Sequence, residues 1–243
     1  MFVLAGLAAA LINGVAGGGT LISFPVLLAL GYPAIVANIT STIGIWPGYA
    51  ASTAGFRGEL STQRRRLLTL APITVVGAIG GAVLLLTTPS SVFSRITPWL
   101  VLGATLLFAS GPLVRRWLAA RGRTVRTQPV PLAVGILLSS LYGGYFGAGV
   151  GVIILAVLGL TLPDTLLRST SLRAVLSGTA NGVAALVFIV HGSIRWDTVG
   201  LIALGALVGG YVGSFLAKRL PSGTLRAVVV AVGITTSVKL LVG

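Results

Sequence analysis

Charge-free apolar stretches alternate with short basic clusters along the whole chain. Residues 1–56 carry no charge and run into a basic stretch holding Arg57, Arg64, Arg65 and Arg66. Residues 67–86 then form an apolar run, and about 20 such residues suffice to cross a bilayer as a helix. The polar connection TTPSSVFSR, ending at Arg95, leads into a second apolar run over 96–114. The most polar segment follows, with Arg115, Arg116, Arg121, Arg123 and Arg126. Beyond it the layout recurs. Residues 127–163 are charge-free, Asp164 to about Val190 starts with Arg168 and Arg173 and turns apolar, and His191, Arg195 and Asp197 make a polar connection. Residues 198–217 predict another span. Lys218, Arg219 and Arg226 flank a Pro–Ser–Gly turn, and a last span ends near Leu241.

Composition sharpens this picture. The 243 residues are 55% hydrophobic and 8% charged, with 34 glycines, and the mean hydropathy is +1.04. Soluble domains carry about 25% charged residues, so an all-α integral membrane protein is expected, multi-pass in the cell (inner or plasma) membrane, with the bilayer as its surroundings. The net charge of +14 does not indicate nucleic acid, because the basic residues cluster between apolar runs, as in membrane proteins whose cytoplasmic loops are positive. The absence of cysteine removes disulfides and thiol chemistry. An apolar start without a basic leader argues against a cleaved signal peptide.

The two halves align on each other. Gly17–Pro33 lies over Gly147–Pro163 at an offset of 130 residues, and Thr40, Ser41 and Gly48 then match Thr170, Ser171 and Gly178. Further on the offset becomes 132, with Gly77–Gly81 over Gly209–Gly213 and Pro89 over Pro221. The chain therefore divides into a first transmembrane repeat (1–110), a basic cytoplasmic linker (111–129) and a second repeat (130–243), forming one membrane domain. In the first repeat the basic connection precedes the 67–86 span, whereas in the second it follows the 198–217 span. With basic loops in the cytoplasm, the repeats have inverted topology and each crosses an odd number of times. The opening segments 1–32 and 127–163 are too short for two full spans and are interrupted by glycines. Each is expected to be a glycine-broken short helical hairpin, tolerated only inside protein or beside a cavity. The two hairpins would meet near the midplane among six full spans, three per repeat, with both termini outside.

The candidate site follows from these breaks. Half-helices starting after Gly17, Gly18 and Gly19, and after Gly147, Gly149 and Gly151, would aim N–H groups at an anion. Close helix packing by small residues is the alternative use of such glycines. Thr40 and Ser41, with their counterparts Thr170 and Ser171, could donate hydrogen bonds to an oxyanion or bond back to their own helix. Arg168 and Arg173 lie in or near a membrane helix, where arginine is costly. For Arg168, snorkelling to the cytoplasmic interface is the favoured reading, helped by an ion pair with Asp164 four residues away on one helix face, and Arg173 could supply positive potential. Asn38, in the place of Arg168, binds ligand or caps a helix. His191 suits a solvated helix end better than a proton relay. Trp99, Trp117 and Trp196 suit interfacial anchoring, while Trp46, beside Pro47, could line a cavity. No H-E-x-x-H, G-x-S-x-G or phosphate-binding glycine loop is present, so no enzyme activity, cofactor or metal is expected.

The segment GVAGGGTLISFPVLLALG followed by ANITST resembles the sulfite exporter TauE/SafE family. So do YGGYFGAGVGVIILAVLG with LRSTSLRAVLSGTANG, and the tail GALVGGYVGSFLAKRLPSGTLRAVVVAVG. The resemblance covers roughly residues 5–240, with departures at Asn13, Thr20 and Asn38. It implies a multi-pass carrier for a small anion, notably sulfite or an organosulfur oxyanion. An alternating-access carrier with a small anionic substrate is therefore expected. A passive anion channel and a non-transporting membrane scaffold are the alternatives, and a homodimer is left open.

Overall fold

The computed structural model describes residues 1–16, 18–54, 56–121, 127–216 and 223–242. Eleven helices lie among them: α1 (Phe2–Ala16), α2 (Thr20–Ala29), α3 (Ala34–Ala54), α4 (Arg57–Ser61), α5 (Arg64–Thr87), α6 (Ser90–Arg121), α7 (Pro129–Tyr145), α8 (Val150–Thr161), α9 (Leu166–His191), α10 (Trp196–Leu216) and α11 (Gly223–Val242). No strand occurs among the described residues. Helix α6 continues through the first part of the expected linker as far as Arg121. Arg123, Arg126, Lys218 and Arg219 lie outside the described residues.

The charge-free openings fold as the glycine pattern predicts. Helices α1 and α2 have 15 and 10 residues, and α7 and α8 have 17 and 12. At about 1.5 Å per residue, none reaches across the ~30 Å hydrocarbon core, and the members of each pair pack on one another. Among the described residues, four helices are long and apolar enough to span: α5, α6, α9 and α10. The other two expected spans differ in kind. Helix α3 has 21 residues but buries a polar run from Asn38 to Thr42, which lowers its apolarity. Helix α11 is apolar over Ala227–Val242. The five-residue α4 has no counterpart in the hydropathy pattern.

Packing follows the duplication and interlocks the halves. Helix α1 lies against α10, and its counterpart α7 lies against α5. The contacts match residue by residue. A Cβ on Gly209 or Gly213 would collide with Leu7 or Leu11, and one on Gly77 or Gly81 would collide with Leu137 or Leu141. These are the positions paired by the offsets of 130 and 132. The helix pairs run parallel, and the glycines let backbone meet backbone. The repeat-equivalent helices α3 and α9, in contrast, run antiparallel. Ile39 lies near Gly192, Trp46 near Gly182 and Tyr49 near Gly178.

The exterior is apolar and the interior partly polar. Leu68, Val76, Val83, Leu138, Leu204 and Val208 are exposed, while Asn13, Asn38, Thr40, Ser41, Arg173 and Asn181 are buried. Water would reverse this arrangement, whereas a bilayer solvates apolar faces and drives polar groups inward. Arg57, Arg64, Arg65, Arg66 and Arg168 gather at the end where α3 stops and α5 and α9 begin. His191, Arg195 and Asp197 lie at the opposite end. There Arg195 stacks over the Tyr32 ring at 5.4 Å, and its hydrogen bonds to Asp197 hold its pKa above the ordinary arginine range.

Candidate functional site

The second break is built by glycine geometry. Helix α7 stops at Tyr145, and Gly147 and Gly149 adopt positive φ of 77° and 74°, a region that costs residues with a Cβ about 1–2 kcal/mol. The Tyr142 hydroxyl donates to the Ala148 carbonyl at 2.7 Å and clamps the turn. Phe146, between the half-helices, meets Phe24 of α2 edge to face with ring centroids 5.3 Å apart, so the two hairpins touch. At the first break Gly19 has ordinary helical φ of −59°. Gly17, the counterpart of Gly147, lies outside the described residues. A Cβ on Gly18 would enter the Phe108 ring, and one on Gly19 would strike the Ala9 carbonyl. Close packing is thus one function of these glycines.

The breaks also use part of their own donor set. Leu21 and Ile22 bond back to the carbonyls of Gly18 and Gly19, and Val150 and Val152 bond back to those of Gly147 and Gly149. Fewer backbone N–H groups therefore face the breaks than the glycine pattern implies. Gly151 is buried in the first turn of α8.

Side chains link one break to the other. A Cβ on Gly19 would lie 3.0 Å from Cβ of Asn13. The Asn13 amide stands beside the Tyr49 hydroxyl without a hydrogen bond of ordinary geometry, and neither of its polar atoms has a partner. Asn181 Nδ2 donates to the Tyr49 hydroxyl at 3.3 Å and to the Ser177 carbonyl at 2.9 Å. The carbonyl contact fixes which end of the amide is nitrogen. Asn181 Oδ1 has no partner and lies 3.3 Å from where a Gly147 Cβ would be. Arg173, only 2% exposed, places its charge close enough to act on Tyr49. The unpartnered Ser177 hydroxyl is on the same helix. Hydroxyl, amide and guanidinium donors gathered in the buried interior suit an oxyanion. Asn181 falls mid-way along α9, so this polar chain sits at the middle depth of the bundle.

The remaining predicted positions are dispersed around this chain. Asn38 Nδ2 donates to the Tyr145 carbonyl at 3.0 Å, so Asn38 caps α7 from another helix, leaving its Oδ1 without a partner. Ser41 pairs with Ser23 of α2 at 2.6 Å, while the buried Thr40 hydroxyl has no partner. Ser171 donates to the Arg168 carbonyl at 2.9 Å and accepts from Gln63 at 3.0 Å. Thr170 is half-buried. The repeated hydroxyl pairs thus serve separate contacts, one against α2 and one at the basic end. Arg168 pairs with Asp164 at 3.3 Å, and Arg66 contacts the same carboxylate. Asp164 precedes the Thr165 cap of α9, so this pair crosses a helix start and does not lie along one helical face. His191 is exposed at the end of α9. Trp46 lines a groove of about 460 Å³ between α3 and α9, with Tyr49, Gly178 and Gly182.

Sequence reasoning singled out Arg173 and the breaks but not Tyr49, Ser177 or Asn181. Their one available signal was polarity within otherwise apolar helices.

Comparison with known proteins agrees with this architecture. The family model described as sulfite exporter TauE/SafE matches residues 2–240. The chain is similar to YfcA of Escherichia coli, a "probable membrane transporter protein", at 28% identity over 96% of this chain and 86% of that one. It is 26% identical to the "probable membrane transporter protein ORF9" of a Sinorhizobium species, covering 96% of this chain and 88% of that one. A Haemophilus influenzae protein called "probable membrane transporter protein" is 25% identical, over 97% and 91% of the two chains. No solved structure matches the chain significantly. With a family match along almost its whole length and a bundle that is apolar outside and polar within, the chain belongs to the sulfite exporter TauE/SafE family of membrane proteins.

Proposed function

We propose that the protein is a secondary carrier of the cell membrane that moves a small oxyanion, sulfite or a related organosulfur oxyanion, by alternating access. The observation that carries this reading is the buried polar chain from Gly19 through Asn13, Tyr49 and Asn181 to Gly147, with Arg173 beside it. Buried polar groups without partners are costly, and an anion that accepts from the Asn13 amide N–H and the Ser177 hydroxyl offsets that cost. Matched helix pairs in the two halves and the antiparallel run of α3 and α9 support inverted repeats, an architecture that places sites at the repeat interface. The family description and the relatives' names support transport as the activity.

The arrangement also bears on coupling. Glu59 is on α4, Asp164 precedes α9 and Asp197 begins α10, so all three carboxylates sit at the ends of the bundle. A proton moving with the anion would travel on the substrate itself.

Thermal unfolding of the purified protein against sulfite, sulfate, thiosulfate, taurine, phosphate and chloride tests the reading, because a ligand of the folded state raises apparent stability with concentration. A shift selective for a sulfur oxyanion is expected, reduced by Tyr49→Phe. Equal responses to all anions, or none, would overturn it.

A further inference from the structure

The basic end of the α5–α7 pair carries a surface groove that the transport reading does not use. It opens between Arg65 and Arg66 at the start of α5 and the start of α7, with a volume of about 330 Å³. A second hollow of about 390 Å³ continues it toward Val76 and Leu137. Ile73 and Ala133 line both, so the two form one furrow. From Arg65 to Val76 it follows α5 for about 16 Å at 1.5 Å per residue. That is about half the ~30 Å hydrocarbon thickness, the depth of one leaflet. The furrow is therefore basic at the interface and apolar below it.

We propose that this furrow binds an anionic phospholipid of the cytoplasmic leaflet, with its phosphate at Arg65 and one acyl chain along Ile73, Val76 and Ala133. The two arginines at its mouth differ in use. Arg66 contacts Asp164, whereas Arg65 is exposed and lines the mouth. Basic pockets between membrane helices on the cytoplasmic side suit phospholipid head groups, and the positive-inside pattern puts this end in the cytoplasm. The duplicated helix pair provides an internal control. At the offset of 132, Asp197 and Thr198 of α10 stand where Arg65 and Arg66 stand in α5. The repeat keeps the parallel pair of helices but has no arginine at these two positions of α10, whereas charge and apolar length coincide on the α5–α7 side.

Native mass spectrometry of the detergent-purified protein tests this. It would be supplied with phosphatidylglycerol or with phosphatidylcholine of the same acyl chains. The wild type is expected to retain phosphatidylglycerol in preference. Arg65→Gln should weaken that retention about fivefold, the effect of one arginine near an anionic head group. Ala133→Phe, which fills the furrow, should lower retention of both lipids, and thermal unfolding confirms that each variant is folded. Excess inorganic phosphate should leave the lipid in place. Equal retention of the two lipids by the wild type, retention unchanged in both folded variants, or displacement by phosphate alone would each overturn the proposal.

Discussion

The Asn181 amide uses both N–H groups, on Tyr49 and on the Ser177 carbonyl, and leaves its oxygen facing the second break. Asn181→Ala deletes hydrogen bonds worth about 1 kcal/mol each net, but also removes a buried oxygen without a partner. The terms oppose one another, so stability should change by about 1 kcal/mol or less. Asn181 donates to the Tyr49 oxygen and so leaves the Tyr49 O–H to donate to the anion; without that orientation affinity should fall about tenfold, equivalent to 1.4 kcal/mol. Calorimetric titration and thermal unfolding of the same preparation separate the two effects, and a large loss of stability with unchanged affinity would assign Asn181 to folding alone. Gly147→Ala tests the break itself. Its φ of 77° should cost about 1–2 kcal/mol, read as a lower unfolding midpoint. Gly147 and Arg173 were legible in the sequence, one from a glycine cluster at matching places in both halves, the other because arginine is expensive in an apolar helix. Asn13 stood out only as a departure from the family, and Tyr49 and Asn181 not at all. Their meaning comes from the crossing of α1, α3 and α9, and no local pattern shows which residues of three distant helices will meet.

Helices expose a different kind of information. The hairpins could be read from length and glycine breaks, and α5, α6, α9 and α10 from apolar runs. Helix α3 was legible as a helix, but its polar residues face inward, which hydropathy alone does not reveal. The glycine pattern has a quantitative consequence for element pairing. Gly209→Ala and Gly77→Ala push a methyl group into the facing backbone of α1 and α7. Each should destabilise by about 1–3 kcal/mol, the range for overpacking. Gly103 and Gly200 have open space where a Cβ would go, so Gly103→Ala and Gly200→Ala should be neutral or stabilising by up to about 1 kcal/mol. Thermal unfolding of the four variants checks the contrast. At the basic end, Asp164 with a 5% exposed side chain holds Arg66 and Arg168, which are 35% and 40% exposed. Asp164→Asn leaves both guanidiniums without their shared anion. Solvent screens them partly, so a loss of about 1–2 kcal/mol is expected. A double-mutant cycle with Arg168→Gln should show coupling between the sites.

At the scale of the whole molecule, the correspondence between the halves is visible in the sequence, but the interlocking of helices is not. Gapless alignment reveals equivalent positions, yet nothing in it says that α1 packs on α10 of the other half and α7 on α5. Those contacts are set by backbone approach between distant segments. Sidedness is testable because the chain has no cysteine, so each introduced one reports alone. Ser193→Cys lies between α9 and α10, and Ser61→Cys at the end of α4. An impermeant thiol reagent on intact cells should label the first and spare the second, and labelling of both from one side would refute the assigned orientation. The account as a whole rests on carriage of an anion through the polar chain between the breaks. Its most direct test is uptake of labelled sulfite by proteoliposomes containing the wild type or Tyr49→Phe. Saturable uptake, inhibited by unlabelled sulfite and strongly reduced in the folded variant, is the predicted result. Uptake no faster than in protein-free liposomes, or flux that rises linearly with sulfite and is indifferent to Tyr49, would contradict it.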